Sequence, residues 1–446
     1  MFRRPRVSKA VLGFLLGLMA SVAWAAPERA VALPPEPPPE AGSDDALLDA
    51  IQRAGFGFFR DEANPRNGLV RDRSRPDSKS SIAAVGFGLS AWCIAVERGW
   101  ASRDDAARRV DVTLQSFLNG PQGPQPGPVM GHRGWFYHFL EMDTGHRAWK
   151  CELSSIDTAL FLAGALDASV FFGGTSEVER RIRKAADALV ARVDWRWMCD
   201  GADVLSMGWH PEKGFIPRCW VGYNEAMLLY VLALGAGSGP LPPGAWDGWT
   251  RGYLVATHHG QRYVDFPPLF GHQYSHCWLD FRGRADAWMR AAGWDYFENS
   301  RRAVLAQRAY CIENPLRRAG YGPWLWGITA CDGPDGYAAR GAPPAENDDG
   351  TLAPTAMVAS LPFAPEVVLP SLRTLHREWG ARLWTRYGYR DAFNPGKDWV
   401  AEDVLGIDQG PMVLMIENHR TGATWRRMMS HPVVQRGLRR AGFLGR

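Results

Sequence analysis

The chain of 446 residues is 46% hydrophobic and 22% charged, too apolar for a disordered chain and too long for one small domain. Its 51 Lys and Arg exceed its 47 Asp and Glu only through Arg3, Arg4, Arg6 and Lys9. Beyond that segment the signs balance, which speaks against a nucleic-acid or membrane-surface partner.

The basic start, the apolar run from Ala10 to Ala23 and the Ala23-Trp24-Ala25 site before Ala26 read as a cleavable secretory signal over residues 1–25. The run is short of the roughly 20 residues a membrane span needs. The expected product is soluble and periplasmic or secreted. Residues 26–43, with Pro34-Pro35 and Pro37-Pro38-Pro39, read as a stiff Pro-rich linker. Residues 44–446 read as a single domain. The seven cysteines show no metal-type spacing, and Cys199 with Cys219 is the only pair considered for a disulfide.

Periodicity predicts twelve helices, at 45–60, 80–98, 102–119, 153–171, 176–195, 223–236, 243–257, 274–291, 295–313, 354–361, 363–380 and 408–419. Ser102, Ser176 and Asn224 are start signals; Gly99, Gly120 and Gly380 are stop signals. The second, fourth and sixth helices are apolar nearly all round, as in Ala159-Leu160-Phe161-Leu162-Ala163, whereas the third, fifth and ninth are amphipathic. Alternating buried and half-exposed helices predict an all-α (α/α)6 barrel, six inner helices within six outer ones. The alternative, an α-superhelix of repeats, lacks a sequence period.

Polar residues gather at the inner-helix starts: Glu152 and Asp157 at the fourth, Glu225 at the sixth, His272, His276 and Asp280 at the eighth, Thr355 at the tenth and Asp408 at the twelfth. Parallel inner helices would bring them to one end of the barrel. A carboxylate in a first turn also complements the helix dipole, and His272 and His276 also read as core histidines. An i, i+4 His pair could hold a metal, but neither an HExxH motif nor a third nearby ligand supports one.

The chain has 20 tryptophans. Trp135, Trp149, Trp220, Trp324 and Trp326 fall in Gly-flanked predicted loops, where an indole offers a flat apolar face with an N–H edge suited to sugar rings. Paired carboxylates with stacking aromatics are the equipment of glycoside hydrolysis.

The segments Phe136-Tyr137-His138-Phe139-Leu140, Glu152-Leu153-Ser154-Ser155-Ile156-Asp157, Gly222-Tyr223-Asn224-Glu225-Ala226, His272-Gln273-Tyr274-Ser275-His276, Trp326-Gly327-Ile328-Thr329-Ala330, Asp349-Gly350-Thr351 and Gly406-Ile407-Asp408-Gln409-Gly410-Pro411 occur in this order. Together they resemble the glucoamylase-like proteins of glycoside hydrolase family 144, over nearly the whole chain beyond the signal. The resemblance implies an (α/α)6 barrel and endo-acting, inverting hydrolysis of β-1,2-glucan. Glu225 matches the general acid, and Asp408 a carboxylate tied to the base role through a water relay. Glu152, Asp157, Tyr223, His272, Gln273, His276, Trp324, Trp326, Thr329, Asp332 and Thr355 are the expected substrate-binding residues. No cofactor or metal is expected, and a monomer is. Cys331 stands where related sequences often carry Ser. The open alternatives are another carbohydrate-active enzyme on the same barrel, or a glucan-binding protein without catalysis.

Overall fold

In the computed structural model, which describes residues 33–40 and 42–444, serines set the helix starts. The side chains of Ser43, Ser81, Ser102, Ser154 and Ser176 each accept a backbone N–H three residues on, opening α1 (Asp44–Asp61), α2 (Ile82–Glu97), α3 (Arg103–Asn119), α4 (Ser155–Phe171) and α5 (Glu177–Ala191). Then come α6 (Met227–Gly235), α7 (Gly244–Thr250), α8 (Ala287–Ala292), α9 (Tyr296–Glu313), α10 (Pro354–Val358), α11 (Pro365–Leu383), α12 (Gly406–Arg420), α13 (Ala423–Ser430) and α14 (Pro432–Arg440).

The fold is an all-α toroid. The inner ring runs α2, α4, α6, the segment of 3₁₀ turns at Leu269–His272 and Ser275–Cys277, α10 and α12. Hydrogen bonds stitch neighbours around it. Leu228 N donates to Ser275 Oγ (3.0 Å), Gln273 Nε2 to Ala356 O (2.8 Å), Thr355 Oγ1 to Asp408 O (2.8 Å) and Asn418 Nδ2 to Cys277 O (2.9 Å). The ring closes where α12 packs on α2. Between α2 and α4 the backbones touch: a Cβ on Gly86 would lie 2.3 Å from Leu160 O, and one on Gly164 1.9 Å from Gly86 O. Only glycine allows this approach. The amphipathic helices α1, α3, α5, α7, α9 and α11 form the outer layer.

The far end of the barrel is covered by α13 and α14, which lie beyond the twelve predicted helices. Arg427 of α13 pairs with Asp167 and Glu97 at the C-terminal ends of α4 and α2, and Arg436 and Arg440 of α14 donate to Gly235 O and Leu234 O at the end of α6.

Other departures have local causes. Within the span predicted as the eighth helix lie one 3₁₀ turn, Ser275–Cys277, and most of the short α8. Asp280 Oδ1 caps Arg282 N (3.0 Å) and Gly283 takes φ +64°, a turn that competes with helix. The predicted seventh helix stops at Thr250, and a hairpin follows, Val255–His258 against Gln261–Val264. His259 and Gly260 at its tip have φ +48° and +79°. The sixth begins at Met227, leaving Glu225 in the turn ahead of it.

The predicted signal lies outside the described residues. Of the predicted linker, residues 33–40 are docked on the barrel: Glu36 N donates to Trp384 O (3.0 Å) and Pro39 O lies 2.9 Å from His376 Nε2. All seven cysteines are free thiols, Cys199 and Cys219 included. Among the described residues no helix is long and apolar enough to cross a membrane.

Candidate active site

Two short sheets fix the starts of α2 and α4. Ser80–Ser81 pairs with Phe139–Leu140, and Leu153–Ser154 pairs with Gly208–His210. Ser154 Oγ caps Asp157 N (3.2 Å) and also donates to the Asp157 carboxylate. His138 lies between two acids, with Nδ1 2.8 Å from Glu152 Oε1 and Nε2 3.6 Å from Asp157 Oδ2. Burial works against charge on His138, but Asp157 and Glu152 outweigh it and lift its pKa to about 9. Burial would likewise raise Glu152, yet His138 and the hydrogen bond to it hold Glu152 down at about 2. The result is an imidazolium clamped by carboxylates.

Glu225 follows a tight turn in which Gly222 has φ +90° and Asn224 Oδ1 accepts Ala226 N (3.0 Å) and Trp249 Nε1 (3.3 Å). Its carbonyl accepts Ser275 Oγ (2.8 Å). The residue is 9% exposed, and its Oε2 has no partner. Burial raises its pKa to about 7, against the pull of its own backbone N–H, and the charge of Asp157 adds to the rise. This carboxyl keeps its proton near neutrality, as expected for an acid.

Asp408, 3% exposed, opens α12. A first-turn position and the neighbouring Gln409 would both favour the ionised form of Asp408. The structure reverses that. Gln409 Nε2 donates to Tyr389 O (3.1 Å) instead, and Asp408 is hydrogen-bonded to Asp391. Burial first, then the charge of Asp391, pushes Asp408 well up, and burial with the charge of Asp332 also raises Asp391. Two buried carboxyls this close cannot both ionise, so they hold one proton between them. Asp391 Oδ2 accepts Asp332 N (2.7 Å), which favours the negative charge on Asp391, while Asp391 Oδ1 and Asp408 Oδ2 have no other hydrogen-bond donor. Asp332 is held by Arg73 (2.6 Å), which also faces Asp72 (3.4 Å) and Asp403 (3.7 Å). Tyr274 is raised by burial and then by the charge of Asp408, with Glu225 contributing.

The remaining expected residues divide. Thr355 supports the Asp408 backbone through its 2.8 Å bond to Asp408 O. Asp332 joins the acidic pair. His272 and His276 have no exposed surface, and burial drives both pKa values down to about 3. Their Nε2 atoms face Phe266 O (3.0 Å) and Ser300 Oγ (3.1 Å), so both are neutral core histidines rather than sugar ligands. Gln273 and Thr329 are also struts: Gln273 Nε2 donates to Ala356 O, and Thr329 Oγ1 accepts Phe270 N (3.1 Å). Tyr223 is buried, its ring 4.8 Å from His272 and its hydroxyl 3.4 Å from Ser300 Oγ. Trp326, 1% exposed, donates to Ser371 Oγ of α11 (2.9 Å) and is core. Trp324 is 43% exposed but packs beneath Arg308 of the outer helix α9 (5.5 Å). Trp135 and Trp220 are buried.

Sequence reasoning did not single out His138, Asp391, Arg73 or Tyr274 as site residues. His138 and Tyr274 sat inside quoted motifs. Asp391 and Arg73 lie in irregular segments, and only the fold brings them to the site.

An (α/α)6 toroid with Glu225 and Asp408 at two of its inner-helix starts, and with His138 and Asp391 supplied by the irregular segments around them, fits the glucoamylase-like class of proteins. The Glycoamylase family model, "Putative glucoamylase", matches residues 218–432. A crystal structure of a "putative glucoamylase" from Bacteroides uniformis superposes with a TM-score of 0.83 at 34% identity, covering 91% of this chain and 99% of that one. The chain belongs to this glucoamylase-like family, consistent with glycoside hydrolase family 144. An endo-β-1,2-glucanase from Chitinophaga pinensis, in complex with sophorotriose and glucose, gives a TM-score of 0.81 at 29% identity over 91% of this chain and 99% of that one. An exo-β-1,2-glucooligosaccharide sophorohydrolase (non-reducing end) from Parabacteroides distasonis is 32% identical over 433 residues, 89% of this chain. The chain spans 58% of that curated relative's length.

Proposed function

We propose that this chain is a glycoside hydrolase that cleaves β-1,2-glucan, endo-acting and with inversion. Glu225 is the general acid, and Asp408 serves the base role. The observation that carries the reading is a contrast between two buried sets of carboxyls: a lone Glu225 whose Oε2 has no partner, which favours its proton, and Asp408 set against Asp391, where burial and mutual charge favour one shared proton. Inverting hydrolysis needs such a contrast, because one carboxyl protonates the leaving oxygen while another activates water. Both relatives named for β-1,2-glucan substrates, from Chitinophaga pinensis and Parabacteroides distasonis, support the linkage.

In this mechanism Glu225 gives its proton to the glycosidic oxygen as the bond to the anomeric carbon breaks. Water attacks that carbon from the opposite face. Its proton passes, directly or along a short relay, to the Asp408 carboxyl, while Asp408 returns its own proton to Asp391. The pair thus takes up one proton, Glu225 loses one, and both reset through solvent. Arg73 and the Asp332 N–H stabilise the charge on the pair before the transfer. His138, held between Glu152 and Asp157, keeps both acids fixed, and the charge of Asp157 acts on Glu225.

The proposal extends to a monomer exported under the N-terminal signal. Incubation of the purified protein with linear β-1,2-glucan, followed by product sizing and by NMR of the first anomer formed, tests it. Oligomers of mixed length bearing the α-anomer support endo-acting inversion. Disaccharide alone favours the exo mode that the Parabacteroides distasonis relative carries in its name. Absence of cleavage overturns the substrate.

A further inference from the structure

Of the five loop tryptophans, Trp149 alone is both exposed and next to the acidic cluster. Half of its surface is open (50%). Its ring meets Phe139 with centroids 5.3 Å apart at 60°, and Phe139 stacks on His138 at 4.0 Å and 11°. His138 is the imidazolium between Glu152 and Asp157. The indole therefore stands two ring contacts from the site, three residues ahead of Glu152 in the chain.

The loop that carries it is built for display. Trp149 and Lys150 are consecutive non-glycine residues with φ +52° and +62°, a left-handed conformation that persists only where the surroundings impose it. Arg147 does so. Its side chain, 5% exposed, donates to Cys151 O (2.6 Å) and Lys150 O (2.7 Å), pairs with Glu212 (2.7 Å) and lies over Tyr137 (4.6 Å). Ala148 N donates to Phe139 O (3.0 Å), and Cys151 Sγ to the same carbonyl (3.3 Å). A clamped, strained loop that keeps a large apolar ring in water, where burial would stabilise it, has a surface to offer.

We infer that Trp149 is a stacking platform for a glucosyl unit of the substrate, at a subsite on the Glu152 side of the cleft and away from the scissile bond. The apolar face of a pyranose matches the indole face. The inference rests on the proposed glucan hydrolysis. Turnover of β-1,2-glucan by the unsubstituted enzyme tests that reading separately.

The experiment compares Trp149→Ala and Trp149→Phe with the parent on a length series of β-1,2-glucooligosaccharides. Dissociation constants come from calorimetry in a Glu225→Gln background, and kcat, KM and melting temperature are measured alongside. Trp149→Ala should raise KM and the dissociation constant of the longer oligomers about tenfold, within the range for stacking on an aromatic side chain. Disaccharide binding, kcat and the melting temperature should change little, and Trp149→Phe should recover most of the loss. Equal affinity for every length in Trp149→Ala, with the parent active, overturns the platform and leaves the hydrolase standing. A parent that neither binds nor cleaves β-1,2-glucan overturns both.

Discussion

Replacing Glu225 with glutamine keeps the side chain's shape and removes its titration. In the folded protein the carboxyl holds its proton to about pH 7, against an ordinary glutamate value of 4.5. The folded state therefore binds the proton more tightly than the unfolded chain. This part of the stability is fully present below about pH 4.5 and is lost as the pH rises through about 7. At about 1.4 kcal/mol for each tenfold in proton affinity, the ionised form costs about 3 kcal/mol at pH 8. Most of that loss accrues between pH 5 and 8. With an unfolding entropy of about 2.1 cal/mol/K per residue over the domain, the corresponding drop in melting temperature is roughly 3 °C. Scanning calorimetry across that pH range should show the drop in the wild-type protein and a flatter profile for Glu225→Gln. The same substitution should lower kcat at least about a hundredfold, and kcat/KM of the wild-type enzyme should fall above about pH 7. Parallel stability profiles for the two proteins, or near-normal turnover by Glu225→Gln, would refute the assignment of the acid.

Asp391→Asn removes the proton acceptor behind Asp408 and is expected to cut kcat about a hundredfold or more, with KM within about threefold in steady-state assays. Asp408→Asn should lose as much, and both variants should fold, as judged by circular dichroism. His138, raised from 6.5 to about 9, contributes stability that is complete below pH 6.5 and is lost as pH rises through 9. His138→Gln should therefore be destabilised by up to about 3 kcal/mol at pH 6, with the gap narrowing above pH 9 in denaturant titrations. Trp326→Ala, which empties a fully enclosed site, should cost about 3–5 kcal/mol and leave KM for the glucan unchanged. A raised KM at unchanged melting temperature would return Trp326 to the sugar.

The ring architecture was legible because its signals are local. Serine caps and helices apolar on every face mark α2 and α4 without reference to anything distant. Glu225 stood out for the same reason, sitting at a glycine turn before an apolar run. Its proton state followed from burial, which the run implies. The state of Asp408 did not follow, since a helix start suggests a stabilised anion and the opposing influences are its burial and then Asp391, which lies in an irregular segment. Trp326 misled in a similar way. Its glycine neighbours suggest a loop, but its indole N–H meets Ser371 on α11, a partner 45 residues on. The predicted eighth helix failed on a single Asx turn at Asp280, which interrupts an otherwise helical pattern.

The seal formed by α13 and α14 makes the toroid a blind cup rather than a ring with a hole. Its axis is filled with side chains such as Phe87 and Trp278, stacked at 4.7 Å, and Trp425 closes the far side by donating to His276 O (2.6 Å). A polymer cannot be threaded through such a body. Under the proposed function, a long glucan would lie across the mouth or dip one end into it, and both fragments would leave the way they came. Repeated cutting of one chain would then depend on sliding over the rim, so processivity would be governed by the side chains around that rim rather than by any enclosure.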